Sequence, residues 1–158
     1  QDQIAIVPQK YNPPWGLVEN YISKTIGKYT HVANTEKNIA DICRKMKLNN
    51  LLNRKMRSLT PGELRWVVLA AQIGADTKVL FIDEIEMHLC KKDLNNLLSI
   101  LHKKINYDGV TLIASTQNKD LISRISSVTI SLEQGRITSL RSPMKKKEKY
   151  RSKNNKKK

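Results

Sequence analysis

Two adjacent carboxylates, Asp83 and Glu84, directly follow the apolar run Val79-Leu80-Phe81-Ile82. An apolar strand that ends in acids delivers them where open α/β sheets bind ligands, outside the carboxyl ends of the strands. One acid can hold a hard divalent cation there while its neighbour orients or deprotonates water. The structural alternative is that both acids favour the start of a following helix. A second element, Thr60-Pro61-Gly62-Glu63, begins 23 residues before Asp83. Thr60 and Glu63 have the spacing of a capping box, with Pro61 at the first helical position. Helix initiation explains those three residues but not Gly62, because Gly inside a first turn is unfavourable. Close approach of backbone to a phosphate would account for it, since free N–H groups at a helix start attract anions.

Positioning these groups requires strands alternating with helices. Ile4–Val7 reads as a short buried strand stopped by Pro8, residues 9–16 as a loop, and Leu17 opens a helix. Thr35-Glu36-Lys37-Asn38 has a capping pattern with Thr35 as the cap, followed by Ile39, Ile42, Cys43 and Met46 at helical spacing. Leu51 and Leu52 are expected to pack the end of that region. A third helix starting at Thr60 carries Leu64, Val67, Val68, Ala71 and Ile73 towards a core. Val79–Ile82 is the central strand, and Leu94, Leu97, Leu98, Leu101 and Ile105 mark the helix after it. Asp108-Gly109 then turns the chain into a β-branched strand over 110–115. Residues 121–125 read as a short helix, and 128–132 with 137–140 flank Gln134-Gly135 as a closing hairpin. This alternation implies an α/β fold, a parallel sheet with one antiparallel addition.

The chain has 158 residues and a net charge of +15. Residues 145–158 hold eight Lys and one Arg against one Glu, a balance of +8 that leaves +7 elsewhere. Such a Lys/Asn-rich run has too little apolar surface to order itself and is expected to be a solvated tail. It could touch an anionic lipid surface, RNA or an acidic partner. Cys43 and Cys90 lie far apart without CxxC spacing, which makes a reducing compartment the default. His31, His88 and His102 form no metal-ligand spacing, which argues against zinc. The apolar runs are too short to span a bilayer, and no signal-peptide pattern opens the chain.

Leu59-Thr60-Pro61-Gly62-Glu63 resembles the signature Leu-Ser-Gly-Gly-Gln of ABC-type (ATP-binding cassette) ATPases, with Thr60 for Ser, Pro61 for the first Gly and Glu63 for Gln. The 23-residue separation from Asp83 matches that family's spacing to its Walker B acid. Val79 to Glu84 resembles the Walker B segment itself, Gln9 the Q-loop glutamine, and Gln117 stands where the family usually has a His. The resemblance covers residues 3–140 and implies a P-loop NTPase-like parallel sheet with a helical subdomain. It implies ATP and Mg²⁺ as ligands. Glu84 would activate water, Asp83 and Gln9 would serve Mg²⁺, and Gln117 would sense the γ-phosphate. Thr60, Gly62 and Glu63 would face ATP held by a second subunit. The chain also departs from the family. Pro61 removes an amide donor, Glu63 brings a carboxylate towards the γ-phosphate, and Arg65 nearby need not compensate. Gln117 cannot carry a proton at neutral pH. Ile85 replaces the usual Pro, and Cys90 replaces the D-loop Asp. Slow hydrolysis, or hydrolysis served by a partner subunit, follows from those departures.

The sequence contains no Gly-x-x-x-x-Gly-Lys-Ser/Thr. Gly27-Lys28 is followed by Tyr29, has Ile22 where the first Gly should be, and trails a helical stretch rather than a strand. In the family this Walker A loop precedes the Q-loop, so the chain is expected to be the C-terminal portion of a longer ABC subunit, or a gene piece whose N-terminal portion is separate, an incomplete fold that hydrolyses ATP only when a Walker A region completes it. The expected organisation is a partial ATPase domain over 1–141 and a basic tail over 142–158. The expected function is the ATPase subunit of an ABC system that energises a membrane transporter, pairing with a second ATPase subunit and with transmembrane subunits on the cytoplasmic face. The alternatives are a soluble ABC-like ATPase acting on nucleic acid or ribosomes, and a degenerate regulatory subunit.

Overall fold

A computed structural model describes residues 3–29, 34–118, 120–121 and 125–142. Three four-residue strands, β1 (Ile4–Val7), β2 (Val79–Ile82) and β3 (Thr111–Ala114), form a parallel sheet in the order β1-β2-β3. The strands run in step, with Ile4 beside Val79 and Val79 beside Thr111. Side chains alternate across the pleat. Ala5, Val7, Leu80 and Ile82 are buried, whereas Ile4, Ile6, Phe81 and Ile113 point the other way and are 51%, 55%, 37% and 49% exposed. The expectation of a fully buried strand at Ile4–Val7 is therefore corrected. Only one face of this sheet is covered among the described residues, so only every second residue is buried.

The covered face packs against α3 (Pro61–Gly74) and α4 (Lys91–Tyr107), and Leu69, Leu97, Leu101 and Ile85 join Val7 and Ile82 in one core. Helix α3 is the central element, buried at every position from Arg65 to Ala71. Its outer side receives α1 (Val18–Ile26) and α2 (Thr35–Lys45) through Ile22, Ile26, Ile42 and Cys43. That packing is close at Gly74, where an added Cβ would lie 2.7 Å from Ile26 Cδ1. Trp66 Nε1 donates to the Met46 carbonyl at 2.9 Å, which ties the end of α2 to α3. Leu51 and Leu52 pack against the same core, as expected. The capping box at Thr60 is present in full, with Pro61 beginning the helix. At α2 the cap is one residue earlier than expected. Asn34, not Thr35, accepts from the Lys37 N–H at 2.9 Å, because its carboxamide oxygen reaches the third-residue amide and Thr35 is already helical.

Contacts divide the chain into two compact units, Gln1–Ile125 and Ser126–Lys158. In the second, β4 (Thr129–Glu133) and β5 (Arg136–Arg141) form an antiparallel hairpin. Gln134 and Gly135 both take positive φ, 49° and 75°, as a two-residue primed turn requires. The hairpin is a two-stranded sheet of its own, so the expected addition to the parallel sheet is corrected to a separate ladder. Residues 122–124 of the expected short helix lie outside the described residues, as does the tail beyond Ser142. No helix among the described residues is long and apolar enough to cross a membrane.

Candidate functional site

The carboxyl end of β2 sits between β1 and β3, and both neighbours extend their hydrogen bonding past it. The Asp83 N–H donates to the Val7 carbonyl at 3.0 Å, and the Ile85 N–H donates to the Ser115 carbonyl at 3.1 Å. The acids do not cap α4, which begins at Lys91 behind Cys90 and carries Asp93 in its own first turn. Residues 84–89 instead form tight turns, with Met87 N–H on the Glu84 carbonyl and Leu89 N–H on the Glu86 carbonyl. Glu84 and His88 both adopt positive φ, 46° and 59°, a conformation non-glycine residues adopt only when their surroundings impose it.

Ser115 supplies part of that constraint. Its hydroxyl oxygen accepts from the Glu84 N–H at 2.7 Å, and the hydroxyl donates to Asp83 Oδ1 at 2.5 Å. One side chain just past the neighbouring strand thus fixes the Asp83 carboxylate and the Glu84 backbone together. Gln117 Nε2 donates to Glu84 Oε1 at 3.0 Å, so the residue expected to sense a phosphate touches the residue expected to activate water. Glu86 completes the cluster. Its Oε1 accepts from the Thr116 hydroxyl at 2.8 Å and from the Gln117 N–H at 2.9 Å, and its Oε2 is buried without a hydrogen-bond partner.

Beneath these acids lies Arg65 of α3, only 6% exposed. Its Nη1 donates to the Pro8 carbonyl at 2.6 Å, while Nη2 donates to the carbonyls of Asp83 at 2.5 Å and Glu84 at 3.0 Å. Burial pushes the guanidinium below its ordinary pKa, and the charges of Asp83, Glu84 and Glu86 push back. The same side chain therefore ties the strand end before Gln9 to the strand end bearing the acids. Gln9 is half-buried in the bend after Pro8. Farther along that loop, Tyr11 packs edge-on against Tyr21 of α1 with ring centroids 5.8 Å apart.

Thr60, Gly62 and Glu63 lie at the start of α3. Glu63 Oε2 accepts from the Thr60 N–H at 2.9 Å and from its hydroxyl at 3.0 Å, and Oε1 accepts from Arg54 Nη1 at 2.6 Å. The bond from the Thr60 backbone, helped by the Thr60 hydroxyl and Arg54, holds the Glu63 carboxyl below its usual range. Gly62 has a structural reason of its own. A Cβ there would meet the His88 carbonyl oxygen at 2.9 Å, so the start of α3 abuts the turn after the acids, and this close backbone neighbour favours glycine with or without a phosphate.

Asp83, Glu84 and Gln117 are thus brought together, Gln9 is tethered one residue from a shared strut, and Thr60 to Glu63 form a cap against the far end of the loop. Sequence reasoning assigned no role to Arg65, Glu86, Ser115 or Thr116. A lone cation inside Leu64-Arg65-Trp66-Val67 was the available signal for Arg65, because a charge on an apolar helix must find partners when buried. Nothing in the spacing distinguishes the other three from ordinary loop residues.

No family model matches the chain. A protein of Methanosarcina acetivorans named as an ABC transporter ATP-binding protein is 31% identical over 96 residues, 61% of this chain and 18% of that protein. The cell division ATP-binding protein FtsE of Streptococcus pneumoniae is 24% identical over 138 residues, 85% of this chain and 59% of FtsE. Among solved structures, a dimeric post-hydrolysis ATP-binding cassette bound to ADP and phosphate superposes with a TM-score of 0.76 at 22% identity, covering 89% of this chain and 63% of that one. The fold is that of an ABC ATPase domain. The chain is homologous to the ATP-binding proteins of ABC systems, and it spans less than two thirds of the length of each of these three proteins.

Proposed function

We propose that this chain carries the Q-loop, signature, Walker B and switch segments of an ABC-type ATPase that hydrolyses ATP to energise a membrane transporter. The observation that carries the reading is the joined cluster at the end of β2, in which Gln117 bonds Glu84 and Ser115 bonds both Asp83 and Glu84. In this reading Glu84 is the base that orients and deprotonates water, and Gln117 contacts both Glu84 and the γ-phosphate. Thr60 and Gly62 present the start of α3 to ATP bound by a second ATPase subunit. Glu63, held by Thr60 and Arg54, keeps its negative charge turned to those partners.

The donors fit Mg²⁺ in kind. No group of three His, Cys, Asp or Glu side chains among the described residues could hold a metal ion. A carboxylate from Asp83 and an amide oxygen from Gln9 are hard ligands, and Mg²⁺ takes one or two protein oxygens with the remainder from phosphates and water. When bound, the ion would neutralise phosphate charge.

The sequence has no phosphate loop, so the β- and γ-phosphates must be held by a Walker A region outside it. The exposed face of Ile4, Ile6, Phe81 and Ile113 supports that part of the reading, because parallel sheets are covered on both faces. Trp15, 81% exposed with the Arg57 guanidinium stacked 3.5 Å from its ring centroid, offers a contact for transmembrane subunits beside the Q-loop. The assembly would lie on the cytoplasmic face of a membrane, and the basic sequence 142–158 has the charge to meet anionic lipid or RNA.

The test is ATP turnover by the native protein in its assembled complex. Glu84→Gln should abolish turnover and leave Mg²⁺-dependent nucleotide binding intact. Unchanged turnover in that variant would remove Glu84 from the chemistry. Nucleotide binding without turnover in the parent would favour the regulatory alternative.

A further inference from the structure

Glu86 has no counterpart among the motif residues, yet it is the acceptor on which the switch segment hangs. Its Oε1 receives both the Thr116 hydroxyl and the Gln117 N–H, at 2.8 and 2.9 Å. The Thr116 hydroxyl oxygen in turn accepts from the Asn118 N–H at 3.0 Å, so three consecutive residues are organised around one carboxylate oxygen. The direction of the Gln117 side chain follows, because anchoring its backbone N–H on one side of Glu86 leaves the carboxamide 3.0 Å from Glu84 Oε1. Thr111–Ala114 ends just before Ser115, and among the described residues no regular ladder holds 116–118. In a loop of this kind, side-chain acceptors decide where the backbone goes.

The other oxygen, Oε2, is buried with no hydrogen-bond partner, and Arg65 Nε is likewise buried without one. Arg65 senses the Glu86 charge electrostatically. A carboxylate therefore suits this position better than a neutral side chain of equal shape. Replacing Oε2 by an amide would turn an NH₂ towards a cationic neighbourhood while leaving the Oε1 acceptor in place.

We propose that Glu86 is the positioning residue that holds the Thr116–Gln117 segment against Glu84, so that the Gln117 carboxamide stands at the water-activating carboxylate. The proposal rests on the ATPase reading for its kinetic consequence and on geometry alone for its structural one. Two hydrogen bonds to a charged acceptor are at stake. Their loss is expected to lower kcat by about ten- to a hundredfold, a cost that falls on the chemical step while ATP binding is little changed.

The experiment compares Glu86→Ala, Glu86→Gln and Glu86→Asp with the parent in the native protein. It measures kcat and KM for ATP, and amide hydrogen exchange across residues 112–118. Glu86→Ala should lower kcat with KM within about twofold, and the Gln117 amide should lose its protection. Glu86→Gln should restore the exchange protection and most of kcat. Glu86→Asp, one methylene shorter, should resemble Glu86→Ala. Unchanged exchange at Gln117 in Glu86→Ala overturns the proposal, as does a Glu86→Gln variant no better than Glu86→Ala in either readout. The exchange comparison needs no turnover. If the parent hydrolyses no ATP, the ATPase reading fails while exchange still decides whether Glu86 holds the switch segment.

Discussion

Replacing Arg65 by Met keeps much of the aliphatic stem and deletes the guanidinium. The side chain is 6% exposed and is hydrogen-bonded to three backbone carbonyls, those of Pro8, Asp83 and Glu84. Each carbonyl left without a donor in a buried setting costs about 1–3 kcal/mol. Against that stands the burial of the charge itself, whose desolvation is already unfavourable and pushes the guanidinium pKa down. Removing one side of a buried charged network generally costs about 3–5 kcal/mol, and that is the expected loss here. Domains are stable by about 5–15 kcal/mol, so this single change would consume a large share. Arg65→Lys should fall between, at about 2 kcal/mol, because one ammonium cannot reach Pro8 on one side and Asp83 with Glu84 on the other as a planar fork does.

The assay is urea unfolding of parent and variants, followed by the fluorescence of buried Trp66 with Trp15→Phe as the common background. A change in midpoint with an unchanged slope reports stability. Arg65→Met within about 1 kcal/mol of the parent would refute the strut, since unpaired carbonyls at two strand ends could not be that cheap. Arg65→Lys as damaging as Arg65→Met would leave the burial argument standing and remove the argument from fork geometry.

Two further outcomes follow from the start of α3. Gly62→Ala should destabilise by about 1 kcal/mol net, because relief of the helical glycine penalty, about 0.5–1 kcal/mol, is outweighed by the clash with the His88 carbonyl. A stabilised variant in the same unfolding assay would show that the close approach relaxes freely. Glu63 is held below its usual pKa in the folded protein by the Thr60 N–H, then the Thr60 hydroxyl and Arg54, so its contribution is present above the unfolded carboxyl pKa and fades as pH falls through the folded value. Glu63→Gln, which keeps an acceptor for Thr60 and loses the charge, should be less stable than the parent near neutrality and converge on it in acid. Unfolding midpoints that keep a constant separation from about pH 7 to about pH 3 would contradict this.

The sheet strands and α3 were legible because their signals are local. Val79–Ile82 is a run of apolar residues between Lys78 and two acids, and Thr60-Pro61-Gly62-Glu63 states its own helix start. Boundaries failed where one residue competes with the next, as Asn34 does with Thr35 for the same Lys37 amide. The burial of Ile4 and Ile6 was misjudged for a non-local reason. An apolar run shows that residues can be buried, not that a second layer is there to bury them. The contact at Gly62 was hidden in the same way. Its backbone neighbour, His88, comes from 26 residues further along the chain, and no pattern around position 62 announces it.

The candidate site divides along the same line. Asp83, Glu84 and Gln117 could be named because each lies at the end of a strand, where the fold exposes side chains. Arg65, Ser115 and Glu86 hold them in place, and their roles exist only through contacts 18 to 57 residues away in sequence. That separation has a consequence for the departures from the signature and switch motifs. The carboxylate of Glu63 does not stand free near α3's start, because Thr60 and Arg54 engage both of its oxygens. The Gln117 side chain does not need a proton to make its contact, because it donates an amide hydrogen to Glu84. Read one residue at a time, Glu63 and Gln117 look like losses of function. Each is engaged by partners that the motif alone does not reveal, and substitutions at those partners extend the test that Glu84→Gln begins.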